Sequence, residues 1–253
     1  MKKFKNKTIL ITGGSGGIGA ATAKLFLNKG ANVMLVDIDE KALKSTVETL
    51  NNVKLAYIKA DVTDEQQVKN YVDATVEKFG SIDIFFNNAG IEGKVMPLED
   101  YPLDVFNQVI DVNIKGVYYG LRHVFPEMKK NGGSIIITSS TAGLRGTANV
   151  LPYVTSKHAV IGMMRTAALE GAPHNIRVNT VNPSPVDNRM MRSLEAGFSP
   201  DNAVNAKKNF EAGIPLGRYA TNEDIANMVE FLASDKSKFI TGTVNSVDGG
   251  MTA

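Results

Sequence analysis

The chain has 253 residues, 43% of them apolar and 21% charged, with no cysteine and a net charge of +2. Such a composition is ordinary for a globular protein long enough to bury its own core. It excludes disulfides, thiolate metal ligands and thiol nucleophiles, and the near balance of charge argues against nucleic acid as a partner.

The first residues, MKKFKNK, are basic, and the apolar run that follows stops at Gly13. That run is too short for the core of a signal peptide. No stretch approaches the roughly 20 apolar residues of a membrane span. A cytoplasmic protein with no membrane partner is expected. Thr8–Thr12 reads as a buried strand, Ile18–Asn28 as a helix ended by Gly30, and Asn32–Asp37 as a second strand. Glu40–Leu50 reads as a helix and Leu55–Ala60 as a third strand. Glu65–Phe79 is a predicted helix with Val68, Val72, Val76 and Phe79 on one face, followed by a fourth strand, Ile82–Phe86. Helices are expected over Leu103–Asn113 and Val117–Lys130, then a fifth strand, Ser134–Ser139, and a helix, Pro152–Gly171. A sixth strand, Ile176–Asn182, a helix, Asp224–Ala233, and a last strand, Gly242–Val247, complete the pattern.

Wholly apolar strands alternating with amphipathic helices predict an α/β fold, a doubly wound parallel sheet of the Rossmann type with helices on both faces. No linker or repeat divides the chain, so residues 1–253 read as a single domain. The loose segment Asp187–Ile214 interrupts the rhythm, where a binding lid would sit.

The stretch ILITGGSGGIG, residues 9–19, places five glycines directly after the first strand. A glycine-rich turn there lets backbone N–H groups approach a pyrophosphate, and the following helix N-terminus favours the negative charge. Two registers fit: Gly14, Gly16 and Gly19, or Gly13, Gly17 and Gly19. Asp37 ends the second strand, 18 residues after Gly19. A carboxylate there can accept both hydroxyls of an adenosine ribose and repels a 2′-phosphate. With no Lys or Arg in the glycine loop, the pattern reads as NAD rather than NADP. The competing reading of Asp37 is a cap for the helix after it.

Further on, Tyr153 and Lys157 are four apart on one helix, and so share a face. An ammonium beside a phenol favours the phenolate and makes tyrosine usable as a general acid/base. Ser139 and Ser140 end the fifth strand, at the edge of the sheet where ligands bind in open α/β folds.

From residue 6 to the C-terminus these motifs, in this order, resemble the short-chain dehydrogenase/reductase family. TGGSGGIG is similar to the family's T-G-x-x-x-G-x-G and selects Gly13, Gly17 and Gly19. Asp61–Val62 matches its adenine-contacting pair, and NNAG, Asn87–Gly90, its stabilising motif, with Asn88 beside the ribose. Asn113, Ser140, Tyr153 and Lys157 match its catalytic tetrad, and the 13-residue spacing to Tyr153 favours Ser140 over Ser139. The resemblance implies a dinucleotide site made by Gly13, Ser15, Gly17, Ile18, Gly19, Asp37, Ile38, Asp61, Val62, Asn88, Ala89, Gly90, Tyr153, Lys157, Pro183, Val186 and Asn188. It implies hydride transfer with NAD between a small-molecule secondary alcohol and its ketone. In that scheme Tyr153 moves the proton and Ser140 bonds the reacting oxygen. Lys157 holds the ribose and lowers the pKa of Tyr153, and Asn113 positions a water that links Lys157 to solvent. No metal is implied. The GIEGK stretch after NNAG and the segment PDNAVNAKKNFEAGIPLGRYA are similar to members acting on cyclic ketones and alcohols. The rivals are a 3-oxoacyl-carrier-protein reductase and a catalytically silent, nucleotide-sensing member. Helix 152–171 carries apolar residues around most of its circumference, which in this family implies a subunit interface and a homotetramer or dimer.

Two stretches depart from the family pattern. PSPVDN, residues 183–188, has Ser184 for the usual glycine and Asn188 for the threonine that bonds the carboxamide. LGRYATNEDIA, from Leu216, has Ala220 and Asn222 where Gly and Pro are usual, which reads as structural. His123, His158 and His174 are scattered and read as structural or surface residues. Arg145 and Glu92 are placed to meet a substrate or to lie on the surface.

Overall fold

A computed structural model describes residues 3–200 and 202–253. Among them seven parallel strands form one sheet in the order β3-β2-β1-β4-β5-β6-β7. These are β1 (Thr8–Thr12), β2 (Asn32–Asp37), β3 (Leu55–Lys59), β4 (Ile84–Asn87), β5 (Gly133–Thr138), β6 (Ile176–Pro183) and β7 (Val244–Val247). Between them run α1 (Gly17–Asn28), α2 (Glu40–Leu50), α3 (Glu65–Phe79), α4 (Leu103–Ile110), α5 (Gly116–Met128), α6 (Leu151–Gly171), α7 (Arg189–Phe198), α8 (Ala203–Ala212) and α9 (Asn222–Ala233).

Side chains alternate across a strand, so each strand feeds two cores. Leu10, Met34, Phe85, Ile135 and Val178 face one layer with Tyr71 of α3, Val124 of α5 and Met164 of α6. Ile9, Ile11, Leu35, Phe86 and Ile136 face the other with Phe26 of α1, Leu43 of α2 and Val229 of α9. Burial on both faces is why the strands are wholly apolar. Strand order reverses between β1 and β4, and the crevice beyond the carboxyl ends of those strands is the ligand position of such sheets.

Local signals set the helix ends. Asp39 caps α2 by accepting from Ala42 N–H, and Asp64 caps α3 through Gln66 and Gln67. Thr221 and Asp224 form a reciprocal capping box on α9.

The structure corrects the sequence reading in three places. The two helices expected around residue 115 are one continuous run, joined by a π-helical turn at Asp111–Lys115. The segment read as a loose lid contains the helix pair α7 and α8, capped by the side chains of Asn188 and Asn202. The outward face of α6 is mixed rather than apolar: Thr155, His158, Arg165 and Thr166 lie exposed beside Gly162 and Leu169, the last 79% exposed. Strand and helix ends elsewhere shift by one or two residues. Among the described residues no helix is long and apolar enough to cross a membrane, and no His, Asp and Glu cluster could hold a metal.

Candidate active site

The glycine turn between β1 and α1 is tight for identifiable reasons. Gly13 has φ +63°, and its carbonyl accepts from Gly16 N–H at 3.2 Å. A Cβ on Gly19 would overlap that same carbonyl oxygen, and a Cβ on Gly17 would lie 2.7 Å from Asn222 Oδ1. At Gly16 the nearest atom would be 3.4 Å away, so that position tolerates a side chain. Gly14 is crowded as well, 2.8 Å from Leu35 Cβ, so Gly16 is the one glycine of the turn with room, and the Gly13, Gly17 and Gly19 register is the one whose three positions are all tight. Helix α1 begins without a side-chain cap, leaving its first N–H groups for an anion. A cradle bare of side chains beside uncapped donors fits a dinucleotide pyrophosphate.

Asp37 is tied to this turn. Its Oδ2 accepts from Ser15 N–H at 3.1 Å and from the Ser15 hydroxyl at 2.6 Å, and its Oδ1 accepts from Asp39 N–H. It does not cap α2; Asp39 does. Ile38, beside it, is 61% exposed. Across the crevice the Asp61 carboxylate accepts from the backbone and hydroxyl of Thr63, each at 2.8 Å, and Val62 packs against Gly116.

Asn88 stitches three strand ends together. Its N–H and that of Ala89 both donate to Thr12 Oγ1, at 2.9 and 3.1 Å. Its Nδ2 donates to Thr12 O, and its Oδ1 accepts from Thr138 Oγ1. The buried Thr12 opens the TGGSGGIG motif, but the motif does not say that its hydroxyl is the shared acceptor of these two N–H groups.

The reacting groups gather at the ends of β4 and β5. Lys157 Nζ donates to Thr138 O at 2.9 Å and lies 5.5 Å from the Tyr153 ring centroid. A Cβ on Gly90 would sit 3.4 Å from the same Nζ and 3.2 Å from Asn113 Oδ1, which puts Gly90, Asn113 and Lys157 in contact range. The Ser139 hydroxyl donates to Lys157 O at 2.8 Å in the interior, whereas the half-buried Ser140 lies beside the Tyr153 phenol, close enough to influence its titration. Ser140 Oγ also accepts from Ala142 N–H at 3.1 Å. Of the two serines only Ser140 faces the tyrosine.

One expectation about this group needs correction, and one gains detail. Asn113, on the π turn, commits both amide donors to protein partners: Nδ2 donates to Ile91 O and Ser156 Oγ, and Oδ1 accepts from Ile91 N–H. The expectation to correct is that Lys157 by itself brings Tyr153 down. Burial pushes the Tyr153 phenol above its ordinary value, the Ser140 hydroxyl beside it opposes this, and the nearby Glu92 carboxylate adds to the rise. Burial alone brings Lys157 down to about 8.

At the far end of the crevice, Pro183 closes β6 and Ser184 N–H bonds Val247 O. Ser184 does not have positive φ, so serine replaces the usual glycine without strain. Val186 bridges Ala220. Asn188 Oδ1 accepts from Met191 N–H as the cap of α7, and its Nδ2 lies 3.5 Å from Asn222 Oδ1. The capping bond leaves the NH2 group of Asn188 as the part able to reach a carboxamide. Beside α7 a cleft of about 330 Å³ is lined by residues 93–96, Ser193, Leu194 and Gly197. Arg145 donates to Met251 O, which anchors the C-terminal segment and makes it structural. His123 pairs with Glu65 on the surface, and His158 contacts Val154 O of its own helix.

A family model described as enoyl-(acyl carrier protein) reductase matches residues 13–252, and the chain belongs to the short-chain dehydrogenase/reductase family. Particular relatives are close. A levodione reductase of Leifsonia aquatica is 38% identical, with 99% of this chain and 96% of the relative covered. A crystal structure of levodione reductase superposes with a TM-score of 0.95, covering 98% of each chain. The cyclohexanol dehydrogenase of an Acinetobacter species is 36% identical, with 99% and 97% covered. An NAD⁺-bound xylitol dehydrogenase is 34% identical with a TM-score of 0.92, covering 98% of this chain and all of that one.

Proposed function

We propose that the protein is an NAD(H)-dependent dehydrogenase or ketone reductase that interconverts a secondary alcohol, favouring cyclic ones, and its ketone. One observation carries this reading: Ser140, Tyr153 and Lys157 converge at the mouth of a crevice whose other end is the glycine turn, with Asp37 tied to that turn. When bound, NAD supplies the hydride acceptor at its nicotinamide, and the protein supplies orientation and proton transfer.

Tyr153 is the general acid/base. Burial keeps its phenol protonated, so at neutral pH it is ready to give a proton to the oxygen of a ketone. Ser140 donates to the same oxygen, because Ala142 N–H already occupies a lone pair of its Oγ. Lys157, hydrogen-bonded to Thr138 O, presents its remaining donors to the nicotinamide ribose. Asp37 accepts from the adenosine ribose hydroxyls, and Asn88 with Thr12 fixes the floor between them. Val95, Met96 and Leu194 give the cleft under α7 apolar surface, which suits a neutral ring. The names of the relatives, a levodione reductase and a cyclohexanol dehydrogenase, support the same substrate class. The exposed face of α6 is the surface through which a homodimer or homotetramer would form, in the cytoplasm.

The test is a panel of cyclic, aryl and acyclic ketones and alcohols, with a 3-oxoacyl thioester of acyl carrier protein, followed by nicotinamide absorbance with NAD and NADP. Turnover of cyclic substrates with NAD is expected. Turnover of the thioester alone would favour the acyl-carrier-protein reductase, and nucleotide binding without turnover of any carbonyl would mark a silent member.

A further inference from the structure

Ser140 is held at four points. The N–H of the residue before it, Ser139, donates to Val181 O at 2.9 Å, continuing the β5–β6 ladder. The Ser140 Oγ accepts from Ala142 N–H, capping the 3-10 turn Thr141–Gly143. The Ser140 carbonyl accepts twice, from Gly143 N–H of that turn and from Asn182 Nδ2, each at 2.9 Å. Three of these contacts come from the backbone; the fourth is a side chain from the next strand.

Asn182 is an unusual residue for its place. It lies near the carboxyl end of β6, 0% exposed. Its Nδ2 is used on Ser140, but its Oδ1 is buried with no partner. Burying an amide with half its hydrogen-bonding capacity unmet opposes folding, and a small apolar side chain would avoid that cost. The position therefore favours the donor for a reason other than stability. The geometry supplies that reason. Ser140 sits fully extended, φ −171° and ψ 166°, directly before the tight 3-10 turn. The turn's own bond from Gly143 N–H takes one lone pair of the Ser140 carbonyl and Asn182 takes the other, so the two together fix the rotation of the peptide that leads to Ala142 and hence the aim of Oγ.

We propose that Asn182 is a positioning residue for the reaction. Its amide clamps the Ser140 carbonyl so that the Ser140 hydroxyl, with one lone pair engaged by Ala142, directs its proton at the substrate oxygen beside Tyr153. This rests on the reading of Ser140 as the residue that bonds the reacting oxygen, and the experiment separates the two.

Asn182→Ala, Asn182→Asp, Ser140→Ala and the Ser140→Ala/Asn182→Ala double variant are compared for ketone reduction, NADH binding by fluorescence titration, and melting temperature. Asn182→Ala should lower kcat by about 10–10²-fold, the scale of a misplaced reacting group. NADH affinity should be unchanged. In the Ser140→Ala background the same change should cost nothing further, because Asn182 acts through Ser140. Asn182→Asp keeps the shape and donates only while protonated, so its activity relative to wild type should fall as pH rises. That pH dependence can be read even if the alanine variant fails to fold. Wild-type kcat in a folded Asn182→Ala protein, additive losses in the double variant, or a flat pH ratio for Asn182→Asp would each overturn the proposal. If Ser140→Ala itself turned over like wild type, the reading of Ser140 would fall, and this inference with it.

Discussion

The glycine turn and the lid meet at one crevice but are held by different forces. The turn is fixed by backbone and short side-chain bonds: Ser15 to Asp37, Thr12 to Asn88 and Ala89, and close approaches at Gly17 and Gly19. The lid, α7 with α8, is tied down by charge. Asp187 pairs with Arg192 at 2.6 Å and with Lys207 at 3.4 Å, and Arg192 also reaches Glu195. The Tyr219 ring lies within reach of both cations, 5.7 Å from Arg192 and 5.3 Å from Lys207. A small apolar cluster of Met191, Ile214 and Tyr219, with Leu194, Phe210 and Met251 packed against it, sits beneath. Partly exposed ion pairs contribute little each and weaken with salt, and segments with few buried contacts open first. The end proposed to hold the cofactor is thus built on short, buried bonds, and the end proposed to enclose the substrate is latched more loosely.

The largest effect expected falls on neither end but between them. Tyr153→Phe removes the proton donor and keeps the ring, so turnover should drop ~10²–10⁴-fold. NADH affinity should persist, since the glycine turn is untouched; stopped-flow rates and a binding titration check both. Near wild-type turnover would remove Tyr153 from the chemistry.

The glycine-turn end is probed next. NAD should be preferred over NADP by ~10²-fold or more. A carboxylate facing a phosphate at ~4 Å costs ~1–4 kcal/mol, and lost bonds to a charged acceptor add ~1.5–3. Asp37→Ser should erode that preference, chiefly through weaker NAD binding, because no Lys or Arg waits in the glycine loop. Equal kcat/KM for both cofactors in the wild type would contradict the role given to Asp37.

Lys157 joins the two ends, and its burial makes it a stability probe. It sits at about 8 in the folded chain against an ordinary 10.5, so the unfolded chain binds more protons between those values. Stability should therefore rise with pH across that window. Lys157→Met should flatten the rise, measured as melting temperature at several pH values. An equal rise in both proteins would place the titration elsewhere.

The smallest effect separates the latch from the turn. Raising salt from roughly 0.05 to 0.5 M shortens the screening length several-fold. Substrate KM should rise by about two- to fivefold, the scale of exposed ion pairs, while NADH affinity at Asp37 changes less. Asp187→Asn should mimic the salt effect and make KM insensitive to further salt. Parallel changes in both constants would erase the contrast between the ends.

The same contrast governed what could be read from the chain. Around the glycine turn the signals are local. Asp39, Asp64 and Gly80 mark the helix ends, so β1, β2, α2 and α3 fall where expected. The lid helices carry the same kind of signal, Asn188 and Asn202 as caps. They were obscured because α8, AVNAKKNFEA, has few apolar residues to show a period. The pairing of Tyr153 with Lys157 was legible because spacing along one helix survives folding, and Ser140 because it follows the fifth strand at the family's usual distance from Tyr153. Contacts between strands were not: Thr12 with Asn88, and Asn182 with Ser140, depend on the sheet's register, which single polar residues do not announce.

The π turn at Asp111–Lys115 is an inserted beat in an otherwise regular rhythm. Each residue of an α-helix advances the screw by about 100°, so a turn closed by one extra residue lets α4 and α5 keep separate phases within one rod. Shortening that stretch by a single residue would let the rod run as plain α-helix, and α5 would then have to rotate or Asn113 would have to leave its place. The Val117 and Val124 stripe buried against Phe85 favours keeping α5 still. The bonds from Asn113 to Ile91 would then be lost, and the wall of the cleft beside Gly93 would lose its tether. A deletion far from any reacting atom would thereby reshape the mouth of the enzyme without touching its chemistry.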